Sequence, residues 1–180
     1  PNSSLGASGA LPILELTLAS GNGIVKVGSG RVDFLNPNIY VGETIVSTGI
    51  LNAGNGQALG ATGVNDFTTV RSVATLAIST VSPISEDIRL EDNSDVVGND
   101  PTLAGFGVVN HSISNVVRIT GVASAPSGTF IAKGSQLQLL AGIAAAAPAT
   151  TRVNYLGSLA GSEIVLGGPT NHGGLTKIGN

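Results

Sequence analysis

An all-β fold, a sandwich or jelly-roll-like barrel of about 8–11 short strands, is what this sequence predicts. Three observations carry that expectation. Apolar residues recur in steps of two, no segment holds a convincing helical period, and Gly-, Asn- and Pro-rich breakers separate the runs.

The first run is Ile13 to Leu18, in which Leu14, Leu16 and Leu18 share one strand face and Glu15 and Thr17 the other. Val70 to Ile78 reads as one extended stretch, with Ala74, Leu76 and Ile78 on one side and Arg71, Val73, Thr75 and Ala77 on the other. Ile113, Asn115, Val117 and Ile119 alternate with Ser112, Ser114, Val116 and Arg118. Gln136-Leu137-Gln138-Leu139 repeats the pattern over a shorter length. Between the runs stand Gly21-Asn22-Gly23, Asn36-Pro37-Asn38, Gly54-Asn55-Gly56, Gly98-Asn99-Asp100-Pro101 and Ala125-Pro126-Ser127-Gly128. Gly and Asn supply positive φ there, and Pro cannot donate to a ladder. The best helical candidate is Gly142 to Pro148, closed by its proline after one turn at most. Its small side chains suit a strand that another backbone approaches closely.

A chain of 180 residues is one domain by length, able to bury a core without disulfide or metal. The expected division is a flexible N-terminal arm over 1–10, a β-sandwich over 11–156 and a Gly-rich C-terminal strand or arm over 157–180. Gly167 to Gly174 has too little to bury for a core strand.

Charged residues make up only 11% of the chain, against about 25% in an ordinary soluble domain. Such a surface, built of Ser, Thr, Asn, Gly and Ala, suits a protein packed against copies of itself or a partner. The net charge of −3 and the scattered Lys and Arg argue against nucleic acid. The apolar runs fall well short of the roughly 20 residues of a membrane span. No Cys, Met or Trp occurs, so disulfides and thiolate metal sites are excluded. Pro1 fits removal of an initiator Met better than signal-peptidase cleavage, which points to an unprocessed, cytosolically made chain; processing of a pro-segment is the alternative.

The search for chemistry returns little. His111 and His172 lack the neighbours a zinc site needs, and Asn110-His111-Ser112 reads as a loop or edge position. Gly6-Ala7-Ser8-Gly9-Ala10 misses the last glycine of a nucleophile elbow. Gly54 to Gly60 is one residue too long for a dinucleotide fingerprint. The sequons at Asn2 and Asn110 matter only in a secreted chain. One feature is concentrated: six of the eleven acids lie between Ser85 and Asp100. Asp92, Asn93, Asp95 and Asp100 are the candidate ligands of a calcium ion that would relieve the repulsion among them. Plain solvation, or docking on a basic patch of another subunit, are the alternatives.

The expected function is a non-enzymatic structural subunit on a virus particle, coat or capsid decoration, self-assembling and touching another shell protein. The runner-up is an extracellular pilus or biofilm filament at the cell surface, with Leu11 to Ala19 donated to a neighbour's sheet. A carbohydrate-binding or adhesive module ranks lower, for only Tyr40, Tyr155 and four phenylalanines are present to stack on sugars.

Overall fold

The computed structural model describes residues 3–4, 15–18, 23–63, 65–96, 98–107, 109–147, 150–157 and 161–178. After β1 (Ser3–Ser4) and β2 (Glu15–Leu18), the chain takes a repeating course. Each pass lays one strand in a first sheet and the next in a second. β3 (Ile24–Lys26) is followed by β4 (Arg31–Phe34), β5 (Thr44–Val46) by β6 (Gly49–Ala53), and β7 (Phe67–Arg71) by β8 (Ala74–Ile78). With β9 (Asp87–Glu91) and β10 (Thr102–Phe106), a third strand joins the pass, β11 (His111–Ile113). The same order returns in β12 (Val117–Thr120), β13 (Ser127–Lys133) and β14 (Gln136–Leu139). It returns again in β15 (Ile143–Ala145), β16 (Arg152–Gly157) and β17 (Glu163–Leu166). β18 (Thr170–Asn171) and β19 (Gly174–Ile178) make the final, incomplete pass.

Successive passes stack in register. Strands β3, β5, β7, β9, β12, β15 and β18 pair in parallel, as do β4, β6, β8, β10, β13, β16 and β19, and as do β11, β14 and β17. The molecule is therefore a β-solenoid, without a helix among the described residues. This overturns the sandwich or barrel. Alternation only tells that a strand has an inner and an outer face, which holds equally for an antiparallel hairpin and a parallel coil. The breakers Asn36-Pro37-Asn38, Gly54-Asn55-Gly56, Gly98-Asn99-Asp100-Pro101 and Ala125-Pro126-Ser127-Gly128 lie at corners, where the chain bends and continues around the coil.

Val70 to Ile78 makes the point. It is two strands, β7 and β8, bent at Ser72 and Val73, with Val73 in the left-handed region at φ 65°. That conformation is uncommon for a β-branched residue. It is held by the Val73 N–H, which donates to the Asn99 carbonyl on the next turn at 2.8 Å. At the equivalent corner two turns on, Gly121 (φ 123°) is obligatory, because a Cβ there would lie 1.9 Å from the Asp92 carbonyl oxygen.

Inward side chains line up in columns that form the core. Val46, Val70, Leu90 and Ile119 stack in the first sheet, and Leu51, Leu76, Leu103 and Phe130 in the second, all fully buried. Each contributes about 1.5–3 kcal/mol by burial. His111 stands on β11, the edge strand of the third sheet, as expected, with its side chain buried: its Nδ1 donates to the Thr80 carbonyl at 2.9 Å, and the missing Cβ of Gly105 leaves room for its ring. Gly142 to Pro148 yields the strand β15, while Pro148 lies outside the described residues.

The Gly-rich C-terminal segment, expected as a strand or arm, forms β17, β18 and β19, each paired in parallel with a strand of the preceding turn. Of the expected N-terminal arm, only Ser3–Ser4 are among the described residues, and β1 pairs antiparallel with β2. β2 in turn pairs antiparallel with β3, capping the first sheet within its own chain. Among the described residues no helix is long and apolar enough to cross a membrane.

Candidate functional site

The acidic segment supplies β9 and then a loop, residues 92–100, at the corner between the first two sheets. Asp92 is buried, at 1% exposure, and both its carboxylate oxygens are engaged. Oδ1 accepts from the Ser72 hydroxyl and the Ser94 N–H, each at 3.1 Å. Oδ2 accepts the Ser127 N–H at 2.8 Å. Ser72 belongs to the turn before and Ser127 to the turn after, so a single carboxylate ties three successive turns.

Asp100 works in the same direction. Its Oδ1 accepts the Ser127 hydroxyl at 2.5 Å, which outcompetes the 3.3 Å approach of that hydroxyl to Asp92. Its Oδ2 accepts from the Thr129 hydroxyl at 3.2 Å and from Asn154 Nδ2 at 2.9 Å, reaching two later turns. Asp95 Oδ1 accepts the Ser124 N–H at 2.7 Å and the Ser124 hydroxyl at 2.8 Å, which hold its carboxyl below the ordinary carboxylate range. Asn93 Oδ1 accepts the Val122 N–H at 3.1 Å. Charge-assisted hydrogen bonds of this kind are the stronger class. The four residues proposed for calcium thus lie on one loop, but their oxygens face protein donors on adjacent turns. Among the described residues no group of three or more His, Cys, Asp or Glu is placed to share a metal.

Beside this loop runs a groove of about 580 Å³. Its floor is the outer face of the second sheet, where Thr102, Thr129, Asn154 and Thr176 hold one register position on consecutive turns. Asp95 and Val96 form one wall, Ser124 and Ala125 stand above the corner, and Arg152 and Leu156 complete the lining. A second depression of about 400 Å³, sharing Ala125, Arg152 and Thr176, continues it to Gly173 and Gly174. The channel therefore follows the stacking direction across the last four turns. Arg152 is exposed and makes no ion pair among the described residues.

Sequence reasoning found the acids and missed Arg152, Asn154 and the threonines. The signal was there: Thr75-Leu76-Ala77, Thr102-Leu103-Ala104 and Thr129-Phe130-Ile131 recur at equal spacing, as a coil of fixed length requires. His172, half-buried near the last corner, stands apart from the groove lining. No family model, curated protein or solved structure matches the chain.

Proposed function

We propose that this chain is a non-enzymatic structural subunit, a rigid solenoid that joins copies of itself in a larger assembly such as the outer surface of a virus particle. The observation that carries the reading is the use made of the acidic segment. Its carboxylates are spent on ties from turn to turn, which stiffen a rod rather than present reactive groups.

The final turn supplies the contact. Leu175 on that turn and Leu166 on the turn before are exposed, and a cavity of about 170 Å³ opens between Ala132, Tyr155, Ile164 and Leu175. The Tyr155 hydroxyl is buried without a partner among the described residues, and burial pushes it up to about 12. An unpaired buried hydroxyl is costly, and a further layer of chain would satisfy it. Among the described residues no strand pairs with β19 beyond β16, which leaves a template for another strand. The donor-strand filament gains less support, because β2 already pairs with β3 of the same chain.

Sedimentation velocity over a concentration series, with electron microscopy of the same samples, tests the reading. Concentration-dependent rods are expected, and Leu175→Asp should abolish them without changing the melting midpoint. A monomer at every concentration would overturn it.

A further inference from the structure

The chemistry of the groove on the second sheet is that of a sugar site. We propose that it binds a linear, neutral polysaccharide, a hexose polymer lying along the stacking direction. Thr102, Thr129, Asn154 and Thr176 repeat at the spacing of neighbouring strands, about 4.8 Å. A sugar unit in an extended chain advances by a closely similar length, so equivalent hydroxyls meet equivalent side chains on successive turns.

Sugar hydroxyls donate and accept at once, and the lining offers both. Arg152 brings a planar set of donors that no carboxylate engages among the described residues. The second carboxylate oxygen of Asp95 and the Asn154 amide oxygen accept no hydrogen bond among the described residues, and both residues line the groove. Planar guanidinium and carboxylate groups can each engage two neighbouring hydroxyls. Leu156 and Ala125 give apolar area for the C–H faces of a sugar ring.

The alternatives fit less well. Asp92, Asp95 and Asp100 against Arg152 leave the groove acidic, which disfavours uronate, sulfated chains and nucleic acid. An extended peptide seeks a free strand edge, whereas this floor is made largely of strands already paired on both sides. No aromatic residue is among the lining, so affinity per sugar is low and grows with polymer length.

Affinity electrophoresis of the full chain tests this, through gels carrying a neutral β-glucan, a neutral mannan, a polyuronate or a sulfated polysaccharide. Retardation by at least one neutral polymer and by neither anionic one is expected. Arg152→Ala and Thr176→Ala should each weaken it at least fivefold at an unchanged melting midpoint. Thr75→Ala, at the same register position but outside the groove, should leave it intact. The proposal falls if no neutral polymer retards the protein, if only the anionic ones do, or if both groove variants bind like the parent. Leu166→Asp, at an exposed end-on residue outside the groove lining, should not alter retardation, so this proposal and the end-on assembly stand or fall separately.

Discussion

The early and late turns of the solenoid solve one problem in two ways. From Ile24 to Thr44, and again from Thr68 to Ile88, a turn takes twenty residues; from Ile88 to Val117 it takes twenty-nine. The longer turns lay down the third sheet, and Ile113, Leu137 and Leu139 close the interior with buried aliphatic side chains. The shorter turns have no strand of that sheet, although buried Ile84 bridges to Ile113 from the turn before, and they carry buried hydroxyl contacts as well. The Tyr40 and Thr44 hydroxyls meet at 2.6 Å, and the Thr68 hydroxyl donates to Glu86 Oε1 at 2.7 Å. The inward column of the first sheet changes to match, with Thr44 and Thr68 early and Ile88, Val117 and Ile143 later.

If the late turns stand on apolar packing, truncating their core should produce the largest effect. Phe130 is fully buried and its ring centroid lies 5.8 Å from that of Tyr155. Phe130→Ala is expected to cost about 3–5 kcal/mol in denaturant unfolding. Because each turn touches mainly its neighbours, the loss should be local. Amide hydrogen exchange should accelerate in β10, β13 and β16 while β5 and β7 keep their protection. Uniform acceleration would show that the two regions are one cooperative unit.

The next effect belongs to the early turns. Glu86 is 3% exposed, and burial, with the negative charges of Asp66 and Asp87, pushes its carboxyl up to about 8 against the opposing hydrogen bond from Thr68. An unfolded carboxyl titrates near 4.5. Between those values the folded protein keeps a proton that the unfolded chain has released, so stability falls as pH rises and is flat above about 8. Glu86→Gln removes the titration. It should match the parent near pH 4.5 and exceed it by about 2–4 kcal/mol at pH 9. Parallel stability–pH curves for parent and variant would sink the assignment.

How much of this the residues disclosed depends on which kind of information each carried. Strand faces were legible: Leu137 and Leu139 are buried as the alternation requires, and so are Leu76 and Ile78. Pairing was not, because the partner of Thr102 is Thr129, a full turn away, and nothing within either strand specifies a parallel neighbour. Only the recurrence of similar residues at the length of a coil carries that information, and turns of unequal length blur it. The acidic segment was legible as a feature but not as a set of ties, since Ser127 and Asn154 come close to Asp100 only through the coil. Arg152 carried no signal of its own, and only stacking places it beside the acids.

The smallest effect is the sharpest test of the polar corner. Tyr40→Phe removes one hydroxyl and leaves Thr44 Oγ1 a single long contact, 3.4 Å, to the Leu59 carbonyl. A cost of about 1 kcal/mol is expected, since Thr44 is fully buried and loses its better partner. Adding Thr44→Val should recover most of that cost, because removing both members of a buried pair leaves nothing unsatisfied. A double-mutant cycle in denaturant measures the coupling directly. If the two substitutions simply add, the hydroxyls touch without holding the early turns together, and the contrast with the aliphatic corner loses its energetic basis.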